Sequence, residues 1–356
     1  MSESWTVAVK RDELAATTVL TDELPSLEDG DVLLKVDRVG LTTNNVTYAV
    51  LGATAFRYWD FFPTESGLGV VPVWGFGNVE ASKADGVEVG SRVYGYFPTA
   101  SHLIVTPGRI DARGFNDVTE HRADLPAAYN AYTLTATDPS YDAAVEDLSI
   151  LFRPLFWTSF LLADQLAEQD FYGATQLVFS SASSKTAYGT AAILKAQGHR
   201  VVGLTSAGSV GFTRDLGCYD AVLPYDDVDQ LADIPTAYVD FAGSTTVSAA
   251  LREHFGDRLV REVIVGVTHQ QAASPDSLSG SRTTFFFAPD QMRKRASDWG
   301  RDGLDQQLAK AWSEFVPQAQ EWVDVVVGEG RDDLTAAWLE VLSGAASPRT
   351  GHVLAL

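Results

Sequence analysis

Gln176 to Ser206 reads QLVFSSASSKTAYGTAAILKAQGHRVVGLTS, and the order of residue types in this stretch decides the fold. The apolar run Leu177-Val178-Phe179 predicts a buried strand that stops at the small polar segment Ser180-Ser181-Ala182-Ser183-Ser184-Lys185-Thr186. Ala187 to Gln197 is helix-forming, Gly198 ends the helix, and Val201-Val202-Gly203-Leu204 resumes a buried strand. Together these make one βαβ unit. Such a unit sets its first turn at the carboxyl end of a parallel strand and at a helix N-terminus, where unpaired backbone N–H groups and the helix dipole favour an anion. A nucleotide phosphate suits that turn. Ser183, Ser184 and Lys185 stand where a dinucleotide turn usually carries glycines, and only Gly189 remains in the helix start. The topology points to a dinucleotide, and the composition of the turn departs from the usual fingerprint.

Downstream, Ala221-Val222-Leu223, Ala237 to Phe241 and Glu262 to Val267 read as further strands, with helix-compatible segments such as Val247 to Glu253 between them. Alternating strands and helices mean a parallel, doubly wound α/β sheet. Asp305 to Val327 and Leu334 to Leu342 read as helices, and the chain ends in a strand-like Gly351 to Leu356. Upstream of the βαβ unit the pattern changes. Trp5 to Val9, Asp31 to Asp37, Ser91 to Tyr96 and His102 to Val105 are short β-type runs, punctuated by turns such as Glu28-Asp29-Gly30 and Thr106-Pro107-Gly108. This half reads as mostly antiparallel β. Asp124 to Asp147, with Pro126 and Pro139, reads as a connecting excursion, and Pro154 as the opening of a helix through Gln165.

The 356 residues suit about two domains of ~150 residues each. A 46% hydrophobic, 21% charged chain has the composition of a globular protein with a large core. No stretch has the length and apolarity of a membrane span, and no basic-then-apolar leader opens the chain, so a cytoplasmic protein is expected. A single cysteine, Cys218, excludes an internal disulfide and a cysteine-rich zinc site. The net charge of −21 argues against nucleic acid or an anionic membrane as partner. A small-molecule substrate is the expected partner.

Four motifs in this order resemble the medium-chain dehydrogenase/reductase superfamily, nearest its zinc-free quinone and enoyl reductases. Val32 to Gly52 looks like the segment that lines their substrate cleft, and Val87 to Gly95 matches their "vGdrVyG" turn. Thr190 to Gly217 looks like their cofactor helix, second strand and "reLGad" segment, and Thr350 to Leu354 like their closing "tGKvVL" strand. The resemblance implies a GroES-like β-rich domain over residues 1–150, completed by about 325–356, and a Rossmann-type nucleotide-binding domain over 151–324. It leaves a homodimer open. The divergence suggests a side branch known only by a domain-of-unknown-function label. Zinc-dependent members place a cysteine where this chain has Thr42 and a His-Glu pair where it has Trp74-Gly75-Phe76, so no metal is expected.

The candidate cofactor residues are Ser180, Ser181, Ser183, Ser184, Lys185 and Thr186, which offer hydroxyls and one ammonium beside a helix N-terminus. A serine-rich turn and helix cap with Lys185 in water is the competing reading. Thr205 and Ser206 stand where an NAD-specific site carries an acid for the ribose diol, so a 2′-phosphate meets no repulsion and NADPH is favoured over NADH. By resemblance, Tyr225 aligns with a tyrosine near the adenosine phosphate, and Phe285 to Pro289, with Phe287 at the centre, looks like the stretch that crosses under the nicotinamide. His269 sits where a doubly wound sheet opens to its ligand crevice, and a packed tyrosine, a buried strand and a solvated loop histidine are the competing readings. In the β-rich half, the resemblance makes Thr42, Asn45 and Tyr48 the catalytic candidates, Asn45 bonding a substrate carbonyl and Tyr48 donating a proton. Helix capping by the Asn pair, with a packed Tyr48, is the alternative. Tyr58, Trp59 and Tyr132 are candidates for an aromatic substrate lining, although aromatic clusters are more often core. These residues fit an NADPH-dependent, zinc-independent oxidoreductase of an enone, enoyl or quinone. A non-redox lyase-type enzyme or ligand-binding protein on the same fold is the rival.

Overall fold

The computed structural model describes residues 3–24, 26–54, 56–265 and 282–356. They form two compact units, one from Met1–Leu151 with Ala319–Leu356, the other from Phe152–Gln318.

In the first unit, β1 (Glu3–Lys10) pairs antiparallel with β2 (Glu13–Glu23) and with β4 (Leu68–Val70), which follows β3 (Val32–Leu41) in the chain. A larger sheet contains β3, β5 (Pro72–Ser82), β6 (Arg92–Pro98), β7 (His102–Val105), β8 (Pro107–Asp111), β9 (Gly114–Asp117) and β10 (Ala131–Leu134). The last two strands of the chain, β17 (Asp324–Glu329) and β18 (Thr350–Ala355), complete it. Its order among the described residues is β17-β18-β3-β5-β6-β10-β9-β8, with β7 on β3, and only β17 and β18 pair in parallel. Val32, Leu34, Val36, Val39, Val73 and Val93 are fully buried in its core. β3 and β5 approach so closely that a Cβ on Gly75 would lie 2.1 Å from the Arg38 carbonyl, which excludes any side chain there.

The helices of this unit include α1 (Thr43–Val50), which leaves β3 directly, and the terminal α7 (Gly330–Ser343). Trp338 of α7 is buried in the core and its indole N–H donates to the Leu14 carbonyl at 2.9 Å. The expected excursion from Asp124 to Asp147 instead contributes β10. Tyr132 of that strand donates to the Tyr96 carbonyl at 2.8 Å and accepts from Arg122, which pairs with Asp117 at 2.7 Å. This buried pair and the tyrosine pull the segment into the sheet, a long-range effect that local composition does not carry.

The second unit contains β11 (Gln176–Phe179), β12 (Val201–Thr205), β13 (Ala221–Pro224), β14 (Thr236–Asp240), β15 (Leu259–Val265) and β16 (Thr283–Phe286). All pair in parallel, in the order β13-β12-β11-β14-β15-β16. This is the doubly wound order, in which the chain starts at the centre and winds outward in both directions. The strands read as apolar runs because both faces are covered: Val178, Val202, Leu204 and Tyr238 are buried against Leu251 and Phe255 of α5 (Thr245–Phe255). The direction of winding reverses between β11 and β14, so a ligand crevice is expected at their carboxyl ends.

Two local expectations are corrected. α2 (Glu146–Glu168) begins eight residues before Pro154, which lies inside it. Glu146 and Asp147 in its first turn complement the helix dipole, and that start outweighs the single N–H that proline removes. α6 (Ala288–Trp322) carries a break at Gly300, whose φ of 73° lies in the left-handed region. It stops at Trp322, and Asp324 to Val327, read as helix, form β17 because β18 offers a parallel partner.

Candidate functional site

In the second unit, β11 runs into the serine-rich turn and then α3 (Lys185–Ala196). Ser184 is the N-cap, its hydroxyl accepting from the Ala187 N–H at 3.4 Å. The serines divide into two groups. Ser180 is fully buried, donates to Asp240 Oδ1 at 2.7 Å and accepts from the Phe241 and Ala242 N–H groups at 2.9 and 3.1 Å. It welds β11 to β14 and presents no surface to a ligand, which corrects its assignment as a cofactor contact. Thr205, 1% exposed, likewise spends its hydroxyl on Ser183 Oγ at 3.2 Å.

The backbone of the turn does what its side chains were expected to do. Among the described residues, the N–H groups of Ser183, Lys185 and Thr186 have no acceptor, although their neighbours Ala182, Ser184 and Ala187 are all engaged. Ser181 holds the turn in shape with a left-handed φ of 47°, the place where glycine is usual. Its N–H donates to the Tyr225 hydroxyl at 2.8 Å, which brings Tyr225 to the cradle. Ser206 is exposed and its hydroxyl reaches Ser209 Oγ at 3.0 Å. No carboxylate follows β12 until Asp215. Phe287, just past β16, is exposed, and His269 lies outside the described residues.

Lys185 is the first residue of α3. Its half-buried ammonium lies 5.7 Å from the centre of the Phe152 ring, and among the described residues no carboxylate pairs with it. Desolvation pulls it down from 10.5 to about 8. Between those values the unfolded chain holds the proton more firmly than the folded one, so this group's contribution to stability rises with pH. An anion bound at the turn needs the ammonium protonated, so affinity for a phosphate ligand should fall about tenfold from pH 7 to pH 9. Calorimetric titrations at both pH values check this, with Lys185→Met expected to abolish the dependence.

In the first unit, α1 carries Asn44, Asn45 and Tyr48. Thr42 is the N-cap, and Asn45 Oδ1 accepts from the Thr42 N–H at 2.8 Å while Asn45 Nδ2 donates to the Pro72 carbonyl at 2.9 Å. Asn45 is buried and both ends of its amide are engaged, so the capping reading describes Thr42 and Asn45, and neither is placed to hold a substrate carbonyl. Asn45→Ala should therefore cost about 1–2 kcal/mol of stability, read as a shifted denaturation midpoint.

Tyr48 is different. Its hydroxyl oxygen accepts from Asn44 Nδ2 at 2.8 Å and from the Trp74 indole N–H at 3.3 Å, and among the described residues its own proton has no acceptor. Burial pushes its pKa well up, against the two N–H donors that pull it down, so it stays a neutral phenol. Around it Tyr58, Tyr96, Tyr129 and Trp74 pack, with Tyr48 and Tyr58 rings 4.6 Å apart and Tyr96 and Tyr129 4.8 Å apart. Tyr129 and Tyr58 share a side-chain hydrogen bond, and the fully buried Tyr96 hydroxyl has no partner among the described residues. Trp59 and Tyr132 lie in the main core, only 3% and 1% exposed, so the aromatic lining around Tyr48 is Tyr58, Tyr96, Tyr129 and Trp74 instead. Alternation along β5 and β6 was the signal for Trp74 and Tyr96, since Trp74 and Tyr96 are cross-strand partners.

Among the described residues, no group of three or more His, Cys, Asp or Glu side chains is arranged to hold a metal, and no helix is long and apolar enough to cross a membrane.

An antiparallel β unit with a doubly wound parallel unit is the fold of the medium-chain reductases. CurA from Vibrio vulnificus, solved in complex with NADPH, is similar at 13% identity over 99% of both chains, with a TM-score of 0.61. The quinone oxidoreductase from Coxiella burnetii is 14% identical over 100% of both chains, with a TM-score of 0.56. The CurF ER cyclopropanase of curacin A biosynthesis is 12% identical over 99% of both chains, with a TM-score of 0.60. The chain belongs to the family described as a protein of unknown function (DUF2855), whose model matches residues 39–347. No curated protein matches the sequence.

Proposed function

We propose that this protein is a zinc-independent, NADPH-dependent reductase that delivers hydride to an enone, enoyl, quinone or related carbonyl carbon of a small molecule. One observation carries the reading: among the described residues, the N–H groups of Ser183, Lys185 and Thr186 at the start of α3 have no acceptor, and the Lys185 side chain pairs with no carboxylate. An anion would complete all four, and the position in the βαβ unit makes a pyrophosphate the natural one. NADPH would supply the hydride. The exposed Ser206, with no acid beside it, leaves room for a 2′-phosphate and favours NADPH over NADH. Tyr48 of the first unit keeps a free proton among neutral aromatic groups, which suits hydrogen bonding to the oxygen of an uncharged, apolar substrate as it gains negative charge.

The test is loss of nicotinamide absorbance when the protein is given NADPH with a panel of quinones, cyclic enones and enoyl thioesters. Turnover of at least one class, faster with NADPH than with NADH, is expected. Binding of NADPH without turnover of any class would favour the rival, a non-redox enzyme or ligand-binding protein on this fold. That rival draws on the serines in the glycine positions and on Tyr225, which already occupies the Ser181 N–H.

A further inference from the structure

We propose that Asp240 receives a hydroxyl of the nicotinamide-side ribose, an inference that rests on the dinucleotide reading and extends it. Asp240 ends β14 and is 3% exposed. Its Oδ1 is saturated, accepting from Ser180 Oγ at 2.7 Å, from the Tyr238 hydroxyl at 2.9 Å and from the Ala242 and Gly243 N–H groups at 3.0 Å each. Its Oδ2 pairs with nothing among the described residues, yet it is not among the polar atoms that the fold seals from solvent. It is therefore a carboxylate oxygen on a nearly buried side chain, open on one side and able to accept a hydrogen bond from a ligand hydroxyl.

Topology says what would supply it. In this sheet order the pyrophosphate lies over the turn after β11, and the adenosine half extends over the end of β12, where an acid for its ribose diol would stand. The other half of the cofactor therefore extends over β14, the neighbour of β11 on the opposite side. The first nucleoside group on that side is a ribose with two hydroxyl donors. Asp240 is joined to the cradle through Ser180, so its free oxygen stands beside the pyrophosphate and on the nicotinamide side. The chain thus omits the ribose-binding acid at Thr205-Ser206 and places one at the end of the fourth strand. Asp240 is a binding residue in this account, and its charge also favours the cationic, oxidised nicotinamide that hydride donation leaves behind.

Asp240→Asn is the matched variant. The donors that converge on Oδ1 hold the amide oxygen there, so the amide nitrogen replaces only the free position. The variant should bind NADPH roughly ten- to a hundredfold more weakly. It should bind the cofactor's adenosine bisphosphate fragment as the wild type does. Independently of any variant, the wild type should bind an NADPH analogue lacking the nicotinamide-ribose hydroxyls about as weakly as the variant binds NADPH. Equal loss of both ligands in the variant, or a wild type indifferent to the missing hydroxyls, would reduce Asp240 to a strut between strands and overturn the proposal. A wild type that binds neither NADPH nor the adenosine fragment would overturn the dinucleotide reading itself, and this proposal with it.

Discussion

Tyr48→Phe should lower turnover by about a hundredfold to ten-thousandfold while leaving NADPH affinity unchanged. The phenol oxygen already accepts two N–H donors, from Asn44 and Trp74, and that arrangement fixes where its own proton points. It also makes the oxygen a better donor, because N–H groups stabilise the negative charge that builds on it as the proton is shared. Phenylalanine preserves the ring packing against Tyr58 and Tyr96 and removes the hydroxyl. Two N–H groups lose their acceptor in the process, so a stability loss of about 1–3 kcal/mol should accompany the change. Comparing turnover at a temperature where both proteins are folded separates the two effects. Because burial keeps the phenol neutral far above neutral pH, the wild-type rate should carry no ionisation of Tyr48 between pH 6 and 9. A variant with full turnover would mean that Tyr48 only packs.

Lys185→Ala should weaken NADPH binding about thirty- to a hundredfold. The size follows from the surroundings of the ammonium. With a carboxylate partner, an ammonium–phosphate contact would exchange one ion pair for another and gain little. Lys185 has no such partner among the described residues, sits beside an aromatic ring and is partly desolvated. A phosphate there gains a charge-assisted hydrogen bond in a place where water competes poorly. The N–H groups of Ser183, Lys185 and Thr186, without acceptors among the described residues, remain in the variant, so binding should be weakened and not abolished. Lys185→Arg should recover part of the affinity, since the charge persists while its position shifts. Unchanged affinity in Lys185→Ala would place the lysine in water and the anion elsewhere.

The parallel sheet was legible because strands covered on both faces must be apolar throughout, and β11, β12 and β14 announce themselves as such runs ended by small polar residues. β17 was not, because Asp324 follows α6 with no glycine or proline to end the helical pattern, and its strand form depends on β18, more than twenty residues on. β10 was hidden for a similar reason: Ala131-Tyr132-Thr133-Leu134 is held by Arg122 and by pairing with β6 and β9.

The site divides in the same way. The position of the cradle follows from chain order, but composition counts hydroxyls and does not say where they go. Ser180, Ser184 and Thr205 satisfy the framework, and the backbone is left to meet the anion. Asn45 was left between two readings for the same reason, since a cap and a substrate donor are identical in sequence. Asp240 gave no signal at all. An acid at the end of an apolar run is ordinary, and only the structure shows four donors converging on one of its oxygens while the other has no partner among the described residues.

The most direct measurement is a calorimetric titration of the whole protein with NADPH, with NADH in parallel. The account predicts one site per chain for NADPH with micromolar affinity, about −8 kcal/mol, and markedly weaker binding of NADH. Failure of both to bind would contradict it, since nothing else proposed for the turn at α3 would then stand.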